Sequence, residues 1–324
     1  MTYQMIIGIE THIELKAKRK IFCDCEFSYG KEPNVNCCAY CKGLGGKPRY
    51  NNEVTELALR AGLSLNSKIN KISKFDRKHY SSEDLPKGYQ ITQFFAPICQ
   101  GGCIILDSGK KINLDRIHIE EDVGKTVHFS EKTLIDFNRS GVPLIEVVTA
   151  PEISSEEEAG EYVEKLQALM KYAGVSDCKM NEGMLRCDIN LSLKAQNVCG
   201  NRVEIKNLNS ISNIKRAIKS EYARQSQILD RGEKVLSQTL KFDEKSGKCV
   251  PMRDKESATD YGYIPEPDLS PLTIEQGFIE SVREKIGELP TQNYRGLKEN
   301  TIFLKQRQNY FANIKKLPNF LNKL

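Results

Sequence analysis

Two stretches in which apolar and polar residues strictly alternate constrain the fold more than any other feature. In residues 5–15, isoleucines alternate with polar residues that include Glu10 and His12. Residues 112–122 set isoleucines against acidic residues and an imidazole in the same way. A period of two residues is typical of a β-strand that buries one face and leaves the other accessible. The sequence therefore predicts two strands of a sheet with one apolar face and one chemically active face.

The order of the remaining elements indicates the fold class. Further strands are predicted over residues 143–148, 185–193 and 202–206, and helices over 53–65, 154–173 and 211–229. Strands that come in runs, with few and long helices, favour an α+β fold with a mostly antiparallel sheet and flanking helices. The proline cluster at 265–271 ends this body, and a separate helical piece is expected from about Ile274.

Composition excludes several classes of protein. The chain has 324 residues, 39% hydrophobic and 28% charged, which suits about two folded domains rather than a disordered chain. No apolar run approaches the length of a membrane span, and the first fifteen residues lack the basic region of a signal peptide. Eleven cysteines without secretory features indicate a reducing compartment. We therefore expect a cytoplasmic protein with no membrane partner.

The positive charge of the chain is concentrated at its end. The formal net charge is +5, and residues 291–324 contribute seven Lys or Arg against one Glu, a net +6. The other 290 residues therefore carry −1. We interpret 291–324 as a basic helical segment that either docks on RNA or an acidic partner or is simply a solvated terminal helix.

Five of the cysteines lie between residues 21 and 50, and four of them have the spacing of a metal knuckle. The pattern C-x-C-x12-C-x2-C is formed by Cys23, Cys25, Cys38 and Cys41. Two close pairs joined by a loop are what tetrahedral thiolate coordination of zinc requires. Four thiolates leave no open position on the metal, so the predicted role is structural. Cys37 is a spare thiol, and a set of buried free thiols is the alternative.

Charged residues recur at predicted strand positions. They are Glu10, His12, Glu120, Glu121, Asp122, Glu146, Asp188 and Glu204. Carboxylates are costly to bury without a positive partner, and several of them with one imidazole would suit Mg²⁺. Taken singly, each acid is an ordinary solvated sheet residue. Walker A, kinase Gly-rich and G-x-G-x-x-G motifs are absent from the sequence, so the common nucleotide-binding folds have no support.

Eight ordered blocks resemble the B subunits of the glutamyl/aspartyl-tRNA amidotransferases (GatB). They are IGIETHIELKAKRKIFCDC, SKFDRKHY, DLPKGYQITQF, RIHIEEDVGK, DFNRSGVPLIEVV, GMLRCDINLSL, VEIKNLNS and DYGYIPEPDL. The resemblance implies a cradle-shaped catalytic domain related to glutamine synthetase over residues 1–290, with the knuckle inserted at about 21–50. Residues 291–324 would then begin a helical domain that family members continue into a tail domain for tRNA.

The resemblance also implies site residues. The catalytic and magnesium-binding residues carried over are Glu10, His12, Glu121, Asp188 and Glu204, with Glu146 as a further magnesium ligand. Strict alternation instead places Glu120 on the face of His118, and a β-bulge would reconcile the two interpretations. The candidate contacts to phosphate or tRNA are Lys74, Arg77, Lys78, Lys87, Lys206 and Asn207.

The implied activity uses ATP and Mg²⁺ to phosphorylate the side-chain carboxylate of Glu or Asp misacylated on tRNA. Ammonia from a partner amidase (A) subunit displaces the phosphate, and a small C subunit completes the heterotrimer. Residues 81–83 and Gly262 depart from the family pattern, which leaves open a tail-less paralogue that activates another carboxylate. A non-catalytic, zinc-stabilised scaffold protein is the third alternative.

Overall fold

The computed structural model describes residues 3–195, 198–252 and 262–286, and the predicted basic segment 291–324 lies outside these described residues. The strands are β1 Gln4–Glu14, β2 Lys68–Ile69, β3 Ile72–Ser73, β4 Asp76–His79, β5 Tyr89–Thr92, β6 Cys99–Gln100, β7 Cys103–Ile105, β8 Lys111–Glu121, β9 Lys125–His128, β10 Thr133–Asp136, β11 Pro143–Thr149, β12 Leu185–Ala195, β13 Val198–Cys199, β14 Val203–Leu208, β15 Gln238–Asp243, β16 Lys248–Pro251, β17 Gly262–Pro265 and β18 Leu272–Thr273.

The helices begin where the sequence provides caps. They are α1 Asn52–Ser64, α2 Glu156–Tyr172, α3 Ile211–Asp230 and α4 Gln276–Ile286, with a short 3₁₀ helix at Met180–Glu182. The side chains of Asn51, Ser155 and Ser210 each accept a hydrogen bond from a backbone N–H in the first turn of the helix that follows. Among the described residues, no helix combines the length and hydropathy needed to cross a bilayer.

One large sheet organises the molecule. Its eleven strands follow the order β16-β15-β14-β12-β1-β11-β8-β6-β2, with β13 beside β12 and β7 beside β8. Every pairing in it is antiparallel except that of β14 with β15. A second sheet, β17-β4-β5, contacts the large one through β8. The predicted α+β class with a mostly antiparallel sheet is confirmed.

The two faces of β1 differ as the alternation predicts. Ile7, Ile9 and Ile13 are buried in a hydrophobic core that they share with the apolar stripes of α1, α2 and α3. Glu10 and His12 point to the opposite face, because successive side chains of a strand alternate between faces. Within the part of the chain that the structure describes, α1, α2 and α3 therefore cover one face of the large sheet near its centre, and no helix lies over Glu10 and His12 on the other.

Helix α4 is part of the main body. The prediction of a separate helical piece from about Ile274 is therefore wrong for this helix. Ile279 and Val282 are buried in the main core, and α4 packs on α1. Lys285 also forms an ion pair with Glu56 of α1 at 3.1 Å. The prolines before α4 end a strand without ending the core, because the chain returns to it at Ile274, which is also buried.

Candidate active site

Side chains from five adjacent strands, β14, β12, β1, β11 and β8, meet on the face of the large sheet opposite the helices, which we name the acid face. In one row across the sheet, Arg186, His12, Glu146 and His118 are neighbours on β12, β1, β11 and β8. In the next row, Asp188 lies beside Glu10. Rows on one face are two residues apart, or roughly 7 Å along the strand. The predicted residues of distant sequence segments therefore come together through strand register.

The first group on this face consists of Glu10, Asp188 and Glu204. One carboxylate oxygen from each lies within 4.8 Å of the others. Asn190 donates a hydrogen bond to Glu10 at 2.9 Å, and Thr239 donates one to Glu204 at 3.1 Å. Burial raises the pKa of Glu10, and the neighbouring carboxylates raise it further. Three carboxylates this close favour a hard divalent cation between them.

The second group consists of His12, Glu120 and Glu146, which also lie within 4.8 Å of one another. The Nε2 atom of His12 lies 3.3 Å from Glu120 and 3.6 Å from Glu146. His118 adds a second imidazole, with its Nε2 atom 3.1 Å from Glu146. One imidazole with two carboxylates is a donor set that suits a divalent cation, so this group is a second candidate metal position.

The charges of the second group influence one another. Burial lowers the pKa of His12, but the carboxylates of Glu146 and Glu120 outweigh it and leave that pKa raised. Burial raises the pKa of Glu120. For Glu146, the two imidazoles outweigh burial and hold the pKa well below its usual range. The two shifts therefore reinforce each other: the carboxylates stabilise the protonated form of His12, and the imidazoles stabilise the ionised form of Glu146.

Glu120, and not Glu121, belongs to this group. The register of β8 against β11 is unbroken from Arg116 to Glu121, so no bulge turns Glu121 toward His12. Instead Glu121 accepts hydrogen bonds from the Lys87 ammonium at 2.6 and 2.7 Å and from the backbone N–H of Ile91 at 2.9 Å. The resemblance implied Glu121 as a ligand, whereas the plain alternation of the strand pointed to Glu120, where the structure has it.

Two predicted contact residues lie beside the groups. Lys206 lies 3.3 Å from Glu204 on the same face of β14. Lys78 of β4 is near enough to lower the pKa of Glu120, against the larger effect of burial. Both ammonium groups therefore lie at the edge of the acid face.

Asn207 contributes to the first group through its backbone. Its φ of +59° interrupts the pairing of β14 with β12, and its N–H donates to Asp188 at 2.8 Å. Asparagine adopts this left-handed conformation more readily than most residues.

Two other residues predicted to contact phosphate or tRNA, Arg77 and Lys74, are not among the residues of the acid face. Arg77 forms a two-pronged ion pair with the buried Glu266, at 2.8 and 3.0 Å, and stacks on Tyr89. Lys74 is exposed between β3 and β4. Because Arg77 precedes Lys78 on β4, its side chain points to the other face of that strand.

An arginine pair at the edge of the acid face was not among the residues predicted from the sequence. Arg186 lies 3.0 Å from Asp122, and Arg139 lies 3.3 Å from the same carboxylate. The available signal was the i, i+2 spacing of Arg186 and Asp188, which places both on one face of β12. The resulting cluster adds positive charge next to His12, its neighbour across the strands.

The four knuckle cysteines also converge. Their sulfur atoms all lie within 4.8 Å of one another, with Cys41 at 3.3, 3.8 and 3.9 Å from Cys23, Cys38 and Cys25. Tetrahedral zinc with Zn–S bonds of about 2.3 Å places its sulfur ligands about 3.8 Å apart. The geometry therefore fits a zinc ion held by these four residues.

A buried lysine supports thiolate chemistry at the knuckle. Lys20 is fully buried, and its Nζ atom lies 3.5 Å from the sulfur of Cys41 and 3.0 Å from the carbonyl oxygen of Phe137. A buried ammonium requires an anionic partner. The hydrogen bond from Cys23 lowers the pKa of Cys41, and Lys20 acts in the same direction. An anionic thiolate at Cys41 is what a metal would bind.

The chain is similar to known proteins over most of its length. A family model described as the GatB/GatE catalytic domain matches residues 5–280. The chain belongs to this family. The B subunit of an aspartyl/glutamyl-tRNA(Asn/Gln) amidotransferase of Ruminiclostridium cellulolyticum is 48% identical over 302 residues, which cover 91% of this chain and 62% of that protein.

Other relatives with the same name are similar to this chain to about the same extent. The B subunit of Caldicellulosiruptor saccharolyticus is 48% identical over 300 residues, covering 90% of this chain and 62% of that protein. One of Clostridium acetobutylicum, which carries the number 2 in its name, is 46% identical over 302 residues, covering 90% of this chain and 63% of that protein. The chain thus spans somewhat less than two thirds of the length of these GatB relatives. The part that matches the family model includes all the residues of the acid face.

Proposed function

We propose that this GatB-family chain uses ATP to phosphorylate the side-chain carboxylate of Glu or Asp misacylated on tRNA, and that the activated acyl group is then amidated. The observation that carries the proposal is the pair of three-residue groups on the acid face, centred on Glu10 and His12. The names of the relatives, which are subunits of tRNA amidotransferases, support the choice of acceptor.

The proposed reaction has two steps. An oxygen of the acceptor carboxylate attacks the γ-phosphorus of ATP, and the bond from that phosphorus to the leaving ADP oxygen breaks. Ammonia then attacks the acyl carbon, the carbon–oxygen bond to phosphate breaks, and a proton moves from nitrogen to the departing phosphate. The first step is needed because a carboxylate is a poor electrophile, whereas an acyl phosphate has a good leaving group.

The residues of the acid face can align these reactants. Mg²⁺, when bound by the two groups, would supply the positive charge that phosphoryl transfer requires. Glu10, Asp188 and Glu204 would hold one cation, and His12, Glu120 and Glu146 the other. Lys78, Lys206 and Arg186 at the edge of the face would orient phosphate oxygens and the acceptor carboxylate by charge. Zinc in the knuckle would have a structural role.

The proposal extends to domains, partners and location. Residues 1–290 would form the cradle-type catalytic domain, and 291–324 would begin a helical domain. An amidase (A) subunit would supply ammonia from glutamine, and a small C subunit would complete a heterotrimer in the cytoplasm. The relatives are named as one lettered subunit of their enzyme, which supports an assembly of several different chains.

The decisive measurement is ADP formation by the complex of this chain with A and C subunits, Mg²⁺ and either Glu-tRNA or Asp-tRNA. We expect turnover that requires the charged tRNA and is lost in Glu10→Gln. The control is Glu233→Gln, because Glu233 is exposed and pairs only with the exposed Arg231 among the described residues.

Other outcomes identify the alternatives. Turnover that needs Glu10 but ignores the tRNA would replace the proposal by a paralogue with another acceptor. Amidation by the complex that is unchanged in Glu10→Gln would assign this chain a scaffold role.

A further inference from the structure

The knuckle of residues 21–50 contacts the elements that carry the acid face on two sides. Its first contact is through Tyr40, whose ring centre lies 4.7 Å from the Nζ atom of Lys87. Lys87 is in turn the partner of Glu121, the residue next to Glu120. Gly43 permits this approach: its φ is +69°, and a Cβ atom there would lie 2.1 Å from the carbonyl oxygen of Pro86. The knuckle is therefore packed closely against Pro86 and Lys87, which lie in the loop between β4 and β5.

The second contact runs along residues 135–141, the segment that enters β11. Asn34 donates to the carbonyl oxygen of Ile135 at 3.0 Å and accepts from the N–H of Phe137 at 2.8 Å. Lys20 donates to the carbonyl oxygen of Phe137, and Ser140 donates to that of Cys41 at 3.2 Å. Asn34 and Cys41 of the knuckle, together with the adjacent Lys20, therefore anchor this segment by hydrogen bonds.

This segment leads directly to the charges beside the acid face. Arg139 donates to the carbonyl oxygens of Val123 and Gly124, both at 3.1 Å, and pairs with Asp122. Asp122 pairs with Arg186, the strand neighbour of His12. Glu120, Glu121 and Asp122 thus lie between the second group of the acid face and the residues that contact the knuckle.

We propose that metal in the knuckle and a divalent cation at His12, Glu120 and Glu146 bind with positive coupling, Tyr40 and Lys87 being positioning residues that transmit it. This inference rests on the proposed function only in that the acid face binds divalent cations. The physical basis is that bonds from the metal to the four sulfur atoms hold the knuckle together. Without metal this constraint is lost, so the knuckle relaxes, and Tyr40 and residues 135–141 lose their fixed positions. Zinc therefore preorganises the ligands around Glu120.

The experiment measures binding of Mn²⁺, as a spectroscopic substitute for Mg²⁺, to the full chain by electron paramagnetic resonance. Removing zinc with a chelator, followed by desalting, is expected to weaken Mn²⁺ binding by about fivefold or more, the lower end of usual coupling between sites. Reciprocally, saturating Mg²⁺ should raise the affinity for zinc by the same factor, measured by competition with a zinc indicator.

A matched pair of variants tests the route without removing zinc. In Tyr40→Phe the ring over Lys87 remains, and the lost hydroxyl has no hydrogen-bond partner among the described residues. In Tyr40→Leu the ring is removed. We expect the Leu variant, loaded with zinc, to bind Mn²⁺ about threefold or more weakly, and the Phe variant to match the wild type.

The outcomes separate this inference from the proposed function. Equal Mn²⁺ affinity in zinc-loaded and zinc-free protein, both folded by circular dichroism, overturns the coupling. If the zinc-free chain unfolds, the Tyr40 pair decides: identical binding by the Leu and Phe variants overturns the route. Complete absence of Mn²⁺ binding by zinc-loaded wild type would instead contradict the metal sites of the proposed function.

Discussion

Three consecutive acids, Glu120, Glu121 and Asp122, have three different sets of partners. One short segment of the chain therefore contributes both a candidate metal ligand and buried ion pairs. Glu120 lies beside His12, Glu121 is paired with Lys87, and Asp122 is shared by two arginines. The side chains of Glu121 and Lys87 are 3% and 9% exposed, so their ion pair is structural at this site. Glu120 faces imidazole nitrogens instead and is placed to bind a metal.

This division predicts opposite effects for two neighbouring substitutions. Glu121→Gln leaves the buried ammonium of Lys87 without its ionic partner, and we expect the free energy of unfolding to fall by about 3–5 kcal/mol. Glu120→Gln removes a carboxylate whose pKa burial has raised, so stability should be kept while Mn²⁺ binding at the group of His12, Glu120 and Glu146 is lost. Urea unfolding and Mn²⁺ titration of both variants test this prediction. A stable Glu121→Gln variant together with a destabilised Glu120→Gln variant would contradict it.

The raised pKa of Glu10 predicts the pH dependence of stability. A carboxyl with a folded pKa above its unfolded value binds more protons when folded, so it reduces stability increasingly as the pH rises above about 4.5. In magnesium-free buffer, Glu10→Gln should therefore be more stable than the wild type at pH 7.5, with the difference shrinking toward pH 5. Urea midpoints across this range measure it. A difference that grows on acidification would contradict the sign.

At the scale of elements, the packing of α4 on α1 predicts that this helix unfolds together with the main core. Ile279 is buried in the main core, so Ile279→Ala should lower the free energy of unfolding by about 2–5 kcal/mol in the single main transition. Phe278→Ala is the control because Phe278 lies on the more exposed side of the same helix, with 37% of its surface accessible, and it should cost clearly less stability than Ile279→Ala. Unfolding is followed by circular dichroism; an unshifted main transition in Ile279→Ala would make α4 an independent piece.

The elements also show what the sequence could predict. Alternation sufficed for β1 and β8, and the cap at Ser155 sufficed for α2, because these signals are local. Strand order is not local, so nothing in the sequence stated that Glu10 would lie between β11 and β12. The ion pairs of Arg186 and Lys87 were missed for the same reason, since each joins segments more than thirty residues apart. Only the resemblance supplied the convergence of the acids in advance.

At the scale of the whole molecule, charge is distributed unevenly along the chain. Residues 291–324 carry a net +6, and the remaining residues therefore sum to −1. The acid face requires its own cations before it can accept a polyanion, so it contributes little to attraction at a distance. If the chain acts on an aminoacyl-tRNA, residues 291–324 are the part of this sequence in which positive charge is concentrated enough to attract it at a distance.

This charge distribution predicts how salt affects tRNA binding. The triple variant K315Q/K316Q/K323Q removes three cations from the terminal segment and leaves all acid-face residues in place. Each lost phosphate contact reduces the slope of log affinity against log salt by about 0.7–0.9, so the slope should fall by about 2–3. Fluorescence titrations of labelled tRNA between low and moderate salt measure both slopes. Equal slopes would mean that these lysines are solvated and that tRNA is held by other cations, of which Lys78 and Lys206 beside the acid face are the next to test.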